Sequence, residues 1–134
     1  MSIHRIPVLI DNKRQEAVFE YKISPPTIHI SLASGLKTTY EGDDIYDCLG
    51  KIIKALPHIN FLCKGAKINV RPSSMSSQMS CGVVAYEHLL GIPATRKNLV
   101  NIFDYEDTDI INDPQLQKDY FHRWLDSLAP PPPK

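Results

Sequence analysis

Cys81, in the run Ser80-Cys81-Gly82, is the residue whose setting comes nearest to that of a nucleophile. The apolar spacing after it predicts a helix over about Ser77 to Leu90. A thiol near the start of such a helix feels the positive end of the dipole, which lowers its pKa, and His88 or His122 could then complete a Cys–His hydrolase pair. His88, however, would lie roughly 10 Å further along the same helix by its rise, beyond hydrogen-bond reach. Cys48, Cys63 and Cys81 are three in number and widely spaced, which suits neither a disulfide framework nor paired zinc ligands. Cys48 and Cys63 read as small apolar packing residues.

The second chemical feature is charge. Between Lys97 and Lys118 the chain has no lysine or arginine, yet it carries Asp104, Glu106, Asp107, Asp109 and Asp113, with Tyr105 among them. The bland account is a solvated loop whose last aspartate caps a helix; the functional one is an acidic face that steers and holds a basic partner. The run lacks the spaced ligands, central glycine and final glutamate of a calcium loop, and the five histidines make no ligand spacing, so no metal or cofactor is expected. Lys64, Lys67 and Arg71 read as a solvated strand edge rather than a nucleic-acid platform. Met75 and Met79, four apart, read as core filling on one helix face.

The elements that would position these groups follow from periodicity. Ile6, Val8 and Ile10 alternate, Asp11-Asn12-Lys13 offers a turn, and Ala17, Phe19 and Tyr21 alternate again, which predicts a hairpin. Thr27 to Leu32 is a third strand. Asp43 to Leu56 reads as a helix with an aspartate cap and an apolar face of Ile45, Leu49, Ile52, Ile53 and Leu56. Glu41, Asp43, Asp44 and Asp47 form a second acidic cluster, divided between helix-start and contact roles. Phe61 to Arg71 reads as a buried run followed by a half-buried strand, closed by Pro72. Asp113-Pro114 opens a helix to Leu128 whose apolar face includes Trp124, expected to be buried.

These elements predict an α+β fold, with a mostly antiparallel sheet of about four or five strands and three helices. One domain spans residues 1–129, and 130–134 form a proline-rich tail. At 134 residues the chain suits one core, and 15 basic against 15 acidic residues leave a formal net charge of zero. No global field therefore invites nucleic acid or an anionic membrane. With no membrane-span run and no signal-peptide pattern, the expected compartment is the cytoplasm.

The run LCKGA, the PSSM, QM, G and AYE pattern with its trailing LLG, and LVNIFDY resemble a family of small bacterial proteins, some of which are immunity proteins of contact-dependent growth inhibition and related polymorphic-toxin systems. The likeness covers roughly Phe61 to Leu128; before that, only the order of elements is similar. The resemblance implies a cytoplasmic protein, not an enzyme, that binds a cognate toxin domain one to one and blocks it, with ribonuclease toxins prominent among such partners. It favours Asp104, Tyr105, Glu106, Asp107 and Asp109 as the contact residues, because a ribonuclease site must attract phosphate and is commonly basic. Reversal of Asp104, Glu106 and Asp107 to lysine is expected to leave the fold intact. Two alternatives stand beside this reading: a thiol hydrolase using Cys81, and an adaptor whose polyproline tail recruits an aromatic-lined domain.

Overall fold

The computed structural model describes residues 2–129; the expected tail at 130–134 lies outside the described residues. Strands β1 (Ser2–Ile10), β2 (Lys13–Lys22), β3 (Thr27–Leu32) and β4 (Lys37–Glu41) are followed by helix α1 (Ile45–Ala55) and strand β5 (Ile59–Phe61). Then come β6 (Val70–Arg71), α2 (Ser74–Ser80), β7 (Val84–Glu87), β8 (Leu99–Asn101) and α3 (Pro114–Leu128). The five strands β4-β3-β2-β1-β5 make one antiparallel sheet, and β6-β7-β8 make a second, smaller one. The fold is α+β.

The β1–β2 hairpin turns where its sequence allows. Asp11 and Asn12 both take positive φ, 52° and 63°, a conformation that aspartate and asparagine tolerate better than most residues and that matches the twist of the flanking strands. Ile6 and Val8, Ala17 and Phe19, and Ile28 and Ile30 then face one side of the sheet and are buried. Against them α1 lays Ile45, Cys48, Leu49, Ile52 and Ile53, the stripe expected of an amphipathic helix. Asp44 is its N-cap, accepting from the Asp47 amide at 2.7 Å, and Lys54 lies in its last turn. Asp44 and Asp47 of the second acidic cluster thus serve the helix start.

Two expected elements differ. The helix expected over Ser77 to Leu90 is a seven-residue helix that stops at Ser80, followed by a strand. Cys81 and Gly82 take φ of 54° and 77°, which end the helix, and valine-rich Val83 to Tyr86 pairs with β6 and β8 instead. Short apolar runs fit both periods, and tertiary pairing decided this one. Likewise the half-buried strand expected before Pro72 is shortened to Val70–Arg71, with a 3-10 turn over Lys64–Ala66 ahead of it. Met75 and Met79 are not core; they are 68% and 83% exposed, and α2 buries no residue.

Helix α3 begins as expected, with Asp113 capping the Gln115 amide and proline at its start. Trp124 is buried. Its Nε1 donates to the Ile92 carbonyl at 2.9 Å, and its ring packs on His88 with centroids 4.2 Å apart. Phe121 extends this cluster, with the Arg71 guanidinium 5.0 Å from its centroid. Burial pushes the His88 pKa down, so the folded state holds a neutral imidazole. A depressed histidine contributes stability that is present above its ordinary value near 6.5 and is lost as pH falls below it. Chemical denaturation at pH 7.5 and at pH 5.5 should therefore give a smaller unfolding free energy at the lower value. In His88→Phe that difference should shrink; an unchanged difference would assign it to another group.

Candidate functional site

The acidic segment is built on a strand-like pairing rather than on a free loop. Two separate local antiparallel bridges, Cys63 opposite Tyr105 and Lys67 opposite Ile110, tie residues 102–111 to 62–68. The Lys64 amide donates to Asp104 O at 2.8 Å, Gly65 to Ile102 O at 2.8 Å, Ile68 to Asp109 O at 3.0 Å and Ile111 to Ala66 O at 2.9 Å. Gly65 permits this approach, since a Cβ there would stand 2.5 Å from Leu49 Cδ2 and 2.9 Å from Ile102 Cβ. Phe103 anchors the segment to the main sheet by stacking on His4 and Tyr21, with centroid distances of 4.5 and 5.3 Å. Gln117 braces the other side, donating from Nε2 to Gly65 O and Lys67 O, both at 2.9 Å.

Four charges lock the base of the loop. Glu106 Oε1 accepts from Lys64 Nζ at 2.9 Å and Lys67 Nζ at 2.8 Å, and Glu87 accepts from the same two lysines at 2.8 and 3.4 Å. Glu106 Oε2 accepts from the Asp107 and Thr108 amides at 3.1 and 3.2 Å. The hydrogen bond from Lys67, reinforced by that from Lys64, holds the Glu106 carboxyl down at about 2 against the opposing effect of its burial. For Lys64 and Lys67, burial presses the ammonium pKa down, but hydrogen bonds and charge attraction from Glu87 and Glu106 turn the net shift upward.

The five expected contact residues therefore separate into two roles. Asp104, Tyr105, Asp107 and Asp109 are exposed, and among the described residues no lysine or arginine forms an ion pair with the three aspartates. Glu106 is not a free contact group: its side chain is only 13% exposed and is committed to the lysine clamp. Lys64 and Lys67 are correspondingly not a solvated strand edge. Tyr105 is 48% exposed, accepts from Arg14 Nη1 at 3.4 Å and donates to Asp107 Oδ2 at 3.2 Å, with the guanidinium 5.4 Å from the ring centroid. Arg14, Lys64, Lys67 and Glu87 escaped sequence reasoning because they lie far along the chain from the acidic run. The signal available was the lysine pair three apart, one turn of a 3-10 helix.

Cys81 is not at a helix start. It is the C-cap of α2, and its Sγ lies 3.9 Å from the Ile23 carbonyl. His88 stacks in the Trp124 cluster on β7 and α3, and His122 packs beside Phe121. The helix-start setting expected for Cys81 is thereby removed. Burial pushes the thiols of Cys48 and Cys63 up, to about 11 and about 12. Among the described residues no group of three or more His, Cys, Asp or Glu is placed to hold a metal ion, and no helix is long and apolar enough to cross a membrane.

A groove of about 610 Å³ lies elsewhere, between α1, the start of α2 and the start of α3. It shares no lining residue with the 104–109 loop. Comparison with known proteins yields no assignment: no protein-family model matches the chain, and neither does any curated protein.

Proposed function

We propose that this chain is a stoichiometric binding protein, an immunity protein of the cytoplasm that neutralises a cognate toxin domain by covering a basic surface on it. The observation that carries the reading is the 104–109 loop, where a half-exposed tyrosine stands among three aspartates that form no ion pair among the described residues. Glu106 and two lysines hold their backbone in place. A preorganised loop gives up little conformational freedom on binding, so more of its contact energy appears as affinity. The tyrosine supplies amphipathic area suited to an interface centre, and the aspartates supply steering. A ribonuclease, whose site must attract phosphate, is the toxin class that such a surface fits best.

The complex should be one to one and bury roughly 1,600 Å² in total. Its dissociation constant should be about nanomolar or tighter, near −12 kcal/mol. Tyr105→Ala should mainly speed dissociation, by about tenfold to a hundredfold, leaving association nearly unchanged. Surface plasmon resonance against the toxin domain separates the two rates. A variant that dissociates like the wild type would take Tyr105 out of the interface.

A further inference from the structure

One edge of the five-stranded sheet is open. β4 is its last strand, and the hydrogen bonds at the two ends of the β3–β4 pair fix which of its backbone groups are turned outward. The Leu32 amide donates to Leu36 O at 2.9 Å across the turn that Gly35 closes with φ of 97°, and the Gly42 amide donates to Pro26 O at 3.3 Å. Bonded positions recur at every second residue of an antiparallel pair, so Thr38 and Tyr40 aim their N–H and C=O groups at β3, and Lys37, Thr39 and Glu41 aim theirs away from it. Of these outward groups, Glu41 O accepts from Lys51 Nζ at 2.9 Å and keeps a second lone pair. Lys37, Thr39 and Glu41 are all exposed. Such an edge is a template for a further strand.

The residues on the edge select which strand. In Lys37-Thr38-Thr39-Tyr40-Glu41 the two opposite charges stand equally far on either side of Thr39. A second copy running antiparallel about a two-fold axis at Thr39 therefore sets Lys37 against Glu41 of the other copy, and Glu41 against its Lys37. Within one chain neither of these side chains forms an ion pair among the described residues. Parallel pairing in register would instead oppose lysine to lysine and glutamate to glutamate, and a slip of two residues would leave both charges unmatched. Three bonded pairs of two bonds each give up to about six backbone hydrogen bonds across the axis. The ion pairs, being exposed, choose the register more than they strengthen it.

We propose that β4 pairs with β4 of a second copy of this chain in that register, so that two sheets of five strands become one of ten. The interface is isologous, as a two-fold axis requires. The 104–109 loop is anchored at the other end of the sheet, through Phe103 on His4 of β1 and Tyr21 of β2 and through the Glu106 amide on Leu62 O. Both loops stay open in the pair, which carries two binding sites. Five residues a side make a small interface of the transient class, so the dissociation constant should be about 100 µM.

Sedimentation equilibrium of the full chain from about 10 µM to 1 mM should show the mass rising from one copy toward two, with the Thr39 amide gaining protection from hydrogen exchange as concentration rises. Thr39→Pro removes an outward N–H and leaves the bonds to β3 in place, so it should stay folded by circular dichroism and monomeric throughout. Lys37→Glu alone, or Glu41→Lys alone, opposes like charges at two places and should weaken self-association at least about tenfold. The double variant Lys37→Glu with Glu41→Lys should restore it, and a mixture of the two single variants should pair with each other in preference to themselves. A wild type that remains monomeric at about 1 mM, a Thr39→Pro variant that still dimerises, or a double variant no better than the single ones would overturn the proposal. A monomeric wild type whose Thr39→Pro variant loses a toxin domain would overturn it too, and give the edge to a strand of the toxin.

Discussion

Glu106→Lys should destabilise the fold by about 3 kcal/mol, because it replaces the carboxylate that two lysines share with a third ammonium in the same half-buried space. The side chains of Lys64 and Lys67 are 22% and 14% exposed, so water screens the repulsion incompletely. Two further amides, of Asp107 and Thr108, lose their acceptor. In a chain of this length such a loss lowers the thermal midpoint by roughly 10 °C. Glu106→Gln keeps the shape and should lose less, about 1 to 2 kcal/mol. This replaces the expectation, drawn from the sequence alone, that charge reversal at Asp104, Glu106 and Asp107 leaves the fold intact; that holds for the two exposed aspartates only.

The same clamp carries a pH signature. The folded Glu106 carboxyl titrates at about 2, below its ordinary value, so its contribution is present above the unfolded value near 4.3. It is lost as pH falls from there through about 2, because the unfolded chain takes up the proton first. The lysines act in the opposite sense. Their raised pKa values contribute stability that is present below about 10.4 and disappears as pH climbs past the folded values. Acid titration of wild type and Glu106→Gln, followed by the loss of near-ultraviolet circular dichroism, should show the wild type losing its advantage between about pH 4 and pH 2. Parallel acid curves would show that the clamp does not stabilise the fold.

Gly65→Ala should be at least as damaging, about 3 kcal/mol, and for a different reason. The added methyl would stand 2.5 Å from Leu49 Cδ2, 2.9 Å from Ile102 Cβ and 3.2 Å from Ile102 O. A leucine methyl can rotate aside; the Ile102 backbone cannot, because its carbonyl accepts from the Gly65 amide itself. The strand-like pairing that presents the acidic loop must therefore open. Hydrogen exchange should find the Lys64 and Gly65 amides exchanging at least about a hundredfold faster relative to the core of β2. A thermal midpoint within about 2 °C of wild type would show that the close approach is not tight.

The parts of the fold legible in the sequence are those where local pattern and tertiary demand coincide. The β1–β2 hairpin, the stripe of α1 with its Asp44 cap, and the Asp113-Pro114 start of α3 each announce themselves within a dozen residues. Val83 to Glu87 did not, since its valines satisfy a helix face as well as a strand, and what selects the strand is pairing with Val70–Arg71 and Leu99–Asn101. β4 went unseen because Lys37-Thr38-Thr39-Tyr40-Glu41 has little apolar alternation and is an edge strand paired to β3.

Of the candidate site, the exposed aspartates and Tyr105 could be read from the absence of basic residues around them. The clamp could not. Its lysines and Glu87 come from 19 to 42 residues earlier than Glu106; the bridges between 62–68 and 102–111 bring the lysines beneath the loop, and the pairing of β7 with β6 brings Glu87. An acidic run in sequence is thus partly neutralised in space, and its exposed acidic surface is smaller than the run suggests.

The most direct test of the binding reading is the association rate between this chain and a toxin domain encoded beside its gene, measured by stopped flow at low and high salt. Wild type should associate fast and slow steeply with added salt, as steered pairs do. The triple variant Asp104→Lys, Asp107→Lys and Asp109→Lys, which leaves the Glu106 clamp untouched, should associate at least about tenfold more slowly, with a flat salt dependence and an unchanged unfolding midpoint. A triple variant that associates as fast as wild type, with the same salt slope, would contradict the assignment of the 104–109 loop as the toxin-binding surface.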